Sequence, residues 1–242
     1  MIWALHGAVG MAADWREFAA SLPAELQGVR RLDLWRFLDC CPMPLGKFGN
    51  TLAEEVKRID PAPTLVAYSM GGRLALHALL AQPDLWKAAV IVSAHPGLSE
   101  ESDRVERRKK DAEWSTAALK GEWSDFLRKW NAQDVLGDTG DMADRAVLKT
   151  RRASIARSFV DWSLGAQADL VPQLDKITCP VLWLTGARDA KFTDIAQNAV
   201  SRMPNAKHQI IPDCGHRVPW EKPKEFAQSC ELFFRNNLKL KP

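Results

Sequence analysis

Short apolar runs alternate with longer stretches of helical period along this chain. The runs Ile2–Leu5, Val29–Leu34, Thr64–Tyr68, Ala88–Ser93, Val181–Thr185 and His208–Ile211 are mostly apolar throughout, as strands covered on both faces need to be. Helical period over 14–21, 50–59, 70–81, 191–202 and 222–236 separates them. This alternation predicts an α/β fold, with parallel strands joined by crossover helices. It stops between about 98 and 170, a stretch with helical period and Trp114, Trp123, Trp130 and Trp162 but no strand. The expected organisation is a core of residues 1–97 and 171–242 and a helical cap of residues 98–170. The cap is inserted between the fourth and fifth strands, over the C-terminal sheet edge where open α/β sheets bind ligands.

With 242 residues, 46% of them hydrophobic and 26% charged, the chain can bury one large core without disulfides or metal. Its 33 basic and 30 acidic residues leave a net charge of +3, too weak a field to attract nucleic acid or a membrane surface. No run approaches the ~18 apolar residues of a membrane span, and residues 1–5 lack the basic start of a signal peptide. Cys40, Cys41, Cys179, Cys214 and Cys230 are odd in number and show no C-x-x-C spacing, which predicts reduced thiols and a cytoplasmic protein. There is no phosphate loop and no H-E-x-x-H, and His77, His95 and His208 lack metal-ligand spacing. No cofactor and no metal are expected.

The chemistry concentrates in four places. The apolar strand ending at Tyr68 runs into Ser69-Met70-Gly71-Gly72-Arg73 and then a helix. This fits a nucleophile elbow, a turn so sharp that only small flanking residues clear the backbone. Its pattern is A-x-S-x-G, with Ala67 where glycine is usual. Asp189 follows the fifth strand and His216 the sixth, in the chain order Ser, Asp, His. A loop after each strand brings them to the edge where Ser69 stands, so His216 can take the serine proton and Asp189 can orient the imidazole. Asp213 is the rival acid, better suited to a turn; Cys214 reads as a filler. After the first strand comes His6-Gly7-Ala8-Val9-Gly10, where the Ala8 amide can pair with that of Met70 as an oxyanion hole. His6 reads as the residue that holds this loop.

Together the ordered triad and the early His-Gly loop resemble the α/β-hydrolase superfamily over nearly the whole chain. The resemblance implies an about six-stranded, mostly parallel sheet. Because only five residues precede His6, the antiparallel strand pair that usually opens this fold is expected to be absent. Further segments are more specific: Arg73 four residues after Ser69, Ser93-Ala-His-Pro-Gly-Leu98 leading to Glu106-Arg107, Phe126-Leu-Arg-Lys-Trp130, Ser163-Leu-Gly165, and Asp189-Ala-Lys191-Phe192. They resemble the 2-succinyl-6-hydroxy-2,4-cyclohexadiene-1-carboxylate synthase family, the pyruvate-eliminating enzymes of menaquinone biosynthesis. That resemblance implies a triad of Ser69, Asp189 and His216, with Ser69 acting as a base that removes a proton α to a ketone. It also implies substrate contacts from Tyr68, Arg73, Arg107, Trp130 and a cation near Lys149, where register slips enough that Arg151 or Arg152 is the alternative.

The charge pattern agrees with a substrate carrying several carboxylates. Residues 104–110 hold Arg104, Arg107, Arg108, Lys109 and Lys110 against one acid; residues 145–160 hold Arg145, Lys149, Arg151, Arg152 and Arg157 against none. Some of these must form a solvated helix face. The triad alone also permits a carboxylesterase or thioesterase acting through an acyl-enzyme on a small anionic ester.

Overall fold

The computed structural model describes residues 1–137 and 145–238; positions 138–144 of the expected cap and 239–242 of the expected core lie outside them. In chain order the elements are β1 (Ile2–Leu5), α1 (Arg16–Ser21), β2 (Val29–Leu32), α2 (Leu34–Cys40), α3 (Leu45–Ile59), β3 (Thr64–Tyr68), α4 (Met70–Ala81) and β4 (Ala88–Val92). Then follow α5 (Glu101–Lys120), α6 (Trp123–Asn131), α7 (Arg152–Asp161), β5 (Val181–Gly186), α8 (Ala190–Val200), β6 (Ala206–Ile211), α9 (Val218–Glu221) and α10 (Pro223–Asn237). Six strands pair in the order β2-β1-β3-β4-β5-β6, every pair parallel, as the alternation predicts.

Side chains alternate across this sheet and fill two cores. Trp3, Leu5, Leu65, Ala67, Ile91 and Trp183 face one side with α2, α3 and α4; Ile2, Ala4, Val66, Val90, Val92 and Leu184 face the other, with Phe18 and the α10 residues Phe226 and Phe234. β3 and β4 are buried along their whole length, whereas β6, at one edge, is largely accessible. The order in which strands are added to the sheet reverses between β1 and β3, which are adjacent with Leu5 opposite Ala67. The loops that leave these two strands therefore emerge side by side at the topological switch point, where such sheets place their ligands.

Three boundaries differ from the periodicity. β2 ends at Leu32 because Asp33 caps α2, its carboxylate accepting the Trp35 amide at 3.2 Å. α3 starts at Leu45, directly after Pro44. β6 starts at Ala206, two residues before its apolar run, while the last helical stretch is α10, with the short α9 just before it. Between β4 and β5, α7 packs on α5 and α2, and Trp114, Phe126, Trp130 and Phe159 form a ring cluster with centroids 5.2–6.5 Å apart. The Trp162 indole donates to the Met43 carbonyl at 2.9 Å and ties this layer to the core.

Candidate active site

β3 ends in a turn that sets Ser69 at φ 51°, ψ −113°, a conformation costing on the order of 1–3 kcal/mol in a residue with a side chain. The Ser69 amide donates to the Val92 carbonyl at 2.8 Å, and the Ser69 carbonyl accepts the Arg73 amide at 3.1 Å. Two residues after Ser69 a glycine is required: a Cβ on Gly71 would stand 2.5 Å from the carbonyl oxygens of both Leu5 and His6. The elbow is thus wedged against the end of β1.

The other two side chains arrive from β5 and β6. Gly186, at the end of β5, lies so close to the Cys214 and Gly215 carbonyls that a Cβ would come within 2.3 Å of both. The Arg188 amide also donates to the Cys214 carbonyl at 2.8 Å. These contacts fix the two loops against each other. His216 Nδ1 is 2.6 Å from Asp189 Oδ2, and its Nε2 is 3.2 Å from Ser69 Oγ. Both partners of this pair are buried. Asp213 is exposed and sits at φ 49°, a turn residue away from the imidazole. Burial pushes the Cys214 thiol up to about 12, which leaves it an inert packing group at neutral pH.

His6 is fully buried and braces the glycine-rich loop. Its Nε2 accepts the Leu34 amide at 3.2 Å, so the proton rests on Nδ1, which donates to the Gly7 carbonyl at 2.9 Å. Trp35 Nε1 adds a bond to the Gly10 carbonyl at 2.8 Å. Ala8 in this loop and Met70, the first residue of α4, line the same cavity as Ser69. The Met70 amide has no intrahelical acceptor at that position.

Two cavities meet at Ser69, with Ala8, Trp130 and Leu136 common to both. The smaller, about 40 Å³, is walled by Tyr68, Asp14, Arg145, Arg217 and Trp220. Tyr68 lies edge-on to His216 and Trp220, with centroids 5.5 and 4.8 Å away. The larger, about 260 Å³, holds among the described residues Arg73, Arg107, Lys110 and Lys191 against one acid, Asp111. Arg73 is buried and donates to neutral acceptors, Gln167 Oε1 at 3.0 Å and the Trp162 carbonyl at 2.6 Å. Burial and the nearby Arg107 charge lower its pKa. Asp111, 2% exposed, accepts Arg107 Nε at 2.9 Å and the Ser163 hydroxyl at 2.7 Å. The Ser163-Leu-Gly165 segment therefore fixes the carboxylate that aims Arg107.

Of the expected contacts, Tyr68, Arg73, Arg107 and Trp130 line the two cavities. Lys149, Arg151 and Arg152 line neither. Only Leu148 is buried in the turn Ala146–Arg151, and it leaves Lys149 exposed. Arg151 pairs with Asp33 and Asp39 on the surface, and Arg152 donates to the Ala118 and Gly121 carbonyls. From that basic segment it is Arg145 that reaches a cavity wall, 2.6 Å from Asp14. In the earlier cluster Arg108 turns away to the Gly165 carbonyl and Glu101. Lys110 of the basic 104–110 cluster also lines the larger cavity, while sequence reasoning did not place Asp111, Gln133 or Phe192 there; an acid one helical turn after Arg107 was the signal available for Asp111.

The sequence profile of the alpha/beta hydrolase family matches residues 4–229. The chain belongs to the alpha/beta hydrolase family. Within it, the chain is 28% identical over 245 residues to the 2-succinyl-6-hydroxy-2,4-cyclohexadiene-1-carboxylate synthase of Serratia proteamaculans, covering 98% of this chain and 93% of that one. It is 30% identical over 175 residues to the synthase of Salmonella arizonae, covering 71% and 68%. Among solved alpha/beta hydrolase structures, MenH from S. aureus superposes with a TM-score of 0.83 at 21% identity, over 98% of this chain and 93% of that one. At that identity the superposition establishes the fold.

Proposed function

We propose that this protein is a lyase that eliminates pyruvate from 2-succinyl-5-enolpyruvyl-6-hydroxy-3-cyclohexene-1-carboxylate, in menaquinone biosynthesis. The observation that carries the reading is the wall of the larger cavity, where, among the described residues, four cations face one acid beside the serine. That excess of three positive charges matches a substrate with three carboxylates and suits a neutral ester poorly. The similarity to synthases named for the product supports the same reading.

In this mechanism His216 takes the Ser69 proton, and Asp189 stabilises the imidazolium. The serine oxygen then removes the proton α to the succinyl ketone. The ketone oxygen, gaining charge as the enolate, lies on the Ala8 and Met70 amides. Collapse of the enolate forms a ring double bond at the deprotonated carbon, shifts the existing ring double bond one position along and breaks the carbon–oxygen bond beyond it; the side chain leaves as the enolate of pyruvate and takes up the proton held on His216. Tyr68, Arg73, Arg107 and Trp130 hold the substrate so that its acidic proton faces Ser69 Oγ. No metal or cofactor enters any step.

Acyl transfer needs the same parts, an oxygen gaining charge near two amides and a deprotonated serine. A carboxylesterase or thioesterase for a small anionic ester is therefore the competing reading. Pyruvate release set beside hydrolysis of short p-nitrophenyl esters separates them. Fast release at micromolar substrate with weak ester turnover is expected, and Ser69→Ala should lower kcat at least 10³-fold with binding largely kept. Ester turnover with pyruvate release at the uncatalysed rate would overturn the lyase reading.

A further inference from the structure

The loop after β4 carries a histidine that the mechanism above leaves unused. His95 is half-buried and lines the larger cavity. Its Nδ1 is 3.1 Å from the Gly97 amide nitrogen. An amide can only donate, so Nδ1 is the acceptor, and the neutral ring carries its proton on Nε2. The loop itself is locked: Gly97 sits at φ +133° with its Cβ position 2.4 Å from the Ala168 carbonyl oxygen, a place only glycine fits. The Leu170 amide bonds the Pro96 carbonyl at 2.9 Å. Gln167 joins this loop to the cationic wall, accepting from Arg73 Nη1 at 3.0 Å and donating to the His95 carbonyl at 3.2 Å. On the other side Phe192 stands between the rings of His95 and His216, with centroids 6.4 and 4.4 Å away.

Among the described residues, the charged groups facing this ring are these. Arg73 comes from α4; Arg107, Lys110 and Asp111 from α5; and Lys191 from α8, with His216 beyond Phe192. Burial first, then Arg73, Lys191 and Arg107, hold the His95 pKa down to about 4, so the ring is neutral at physiological pH. A locked, neutral N–H donor amid cations adds direction without adding a further charge that an empty cavity would have to bear.

Building on the lyase reading, we propose that His95 is a specificity-determining residue of the larger cavity, donating from Nε2 to a carboxylate of the anionic substrate alongside Arg107 and Lys191. The role requires the Nε2 proton, not merely the ring. Glutamine, whose Nε2 occupies a comparable position, should therefore substitute for it where alanine cannot.

The test is steady-state pyruvate release by wild type, His95→Ala and His95→Gln, with melting temperatures recorded for each. His95→Ala should raise KM about tenfold or more, with kcat within threefold and the melting temperature within a few degrees. His95→Gln should bring KM back to within about threefold of wild type. A KM within twofold of wild type in His95→Ala, or equal impairment of the two variants, overturns the proposal. A second readout needs neither turnover nor a variant. In protein labelled with ¹⁵N-histidine, the His95 ring should show the Nε2–H tautomer and its Nε2 resonance should move on titration with succinate. An Nδ1–H tautomer, or an unmoved resonance at saturating succinate, overturns it equally. Wild-type protein that releases no pyruvate but shows the succinate response refutes the lyase and leaves the His95 contact standing.

Discussion

Asp111→Asn tests the link between a buried carboxylate and the cationic wall. Asp111 is 2% exposed and serves two donors, Arg107 Nε at 2.9 Å and the Ser163 hydroxyl at 2.7 Å. Asparagine keeps the volume and can still accept from Ser163, so the change removes the charge and the acceptor that faces Arg107 Nε. A hydrogen bond to a charged group is worth about 1.5–3 kcal/mol when buried. The Arg107 side chain is 40% exposed, however, and water screens that end of the pair toward the ~1 kcal/mol of a surface bridge. A net loss of about 1–2 kcal/mol is expected, which for a chain of this size lowers the melting temperature by about 2–8 °C. Released from its anchor, Arg107 should hold its carboxylate less well. KM for pyruvate release should then rise about tenfold, since ~1.4 kcal/mol is a factor of ten, while kcat changes less because the triad is untouched. Thermal unfolding by circular dichroism and steady-state kinetics give both numbers. If melting temperature and KM both stay at wild-type values, Asp111 does not aim Arg107, and the account of the cationic wall fails with it.

Gly71→Ala should lower turnover about 10²-fold or more, because its Cβ would press within 2.5 Å of two carbonyl oxygens and move the elbow. Gly46→Ala, whose Cβ meets nothing within 4 Å, should leave turnover unchanged; equal rates in the two variants would refute the wedge. Acid should destabilise the fold above pH 4. His77 and His95 are both held near pKa 4, by burial first and then by the Arg73 charge, with Lys191 and Arg107 adding at His95. Histidines in the unfolded chain titrate near 6.5. Between these values the unfolded chain binds protons that the folded chain refuses, so stability is complete above about pH 6.5 and falls as pH drops toward 4. The melting temperature should decline over that range, and a His77→Gln/His95→Gln double variant should decline less steeply; identical slopes would refute the assignment.

The sheet edge was legible in the sequence because backbone constraints govern it. A strand that ends in Ala67-Tyr-Ser-Met-Gly71 has few ways to turn, and each of the loops bearing Asp189 and His216 must leave a parallel strand at the same edge. Short apolar runs likewise located all six strands, with β2 misjudged only where Asp33 caps a helix whose Leu34 and Trp35 continue the apolar run. The layer between β4 and β5 was less legible, because on a helix the facing direction is decided by rotation. Arg107 and Arg108 are neighbours about 100° apart on α5. One enters the cavity beside Asp111, and the other leaves it for Gly165 and Glu101. Composition alone cannot tell them apart. The same holds for Lys149, whose outward turn follows from the burial of Leu148, and for Arg145, whose partner Asp14 lies far away in sequence.

That contrast bears on how the reaction class is chosen. The serine, imidazole, carboxylate and the Ala8 and Met70 amides sit at the rigid sheet edge, and their geometry suits proton abstraction and acyl transfer alike. What differs between those reactions is which substrate atom reaches Ser69 Oγ. That choice belongs to the groups that grip the ends of the substrate. On the lyase reading proposed above these are Arg73, braced by Gln167 and the Trp162 carbonyl, and Arg107, braced by Asp111 and through it by Ser163. Both braces run from the helical layer or the segment after it, and neither touches the triad. A change in either can move an α-proton or an ester carbonyl into register with the serine without altering a bond on the sheet edge. On the proposed reading the cationic wall selects the chemistry, and the triad carries out whichever reaction it is offered.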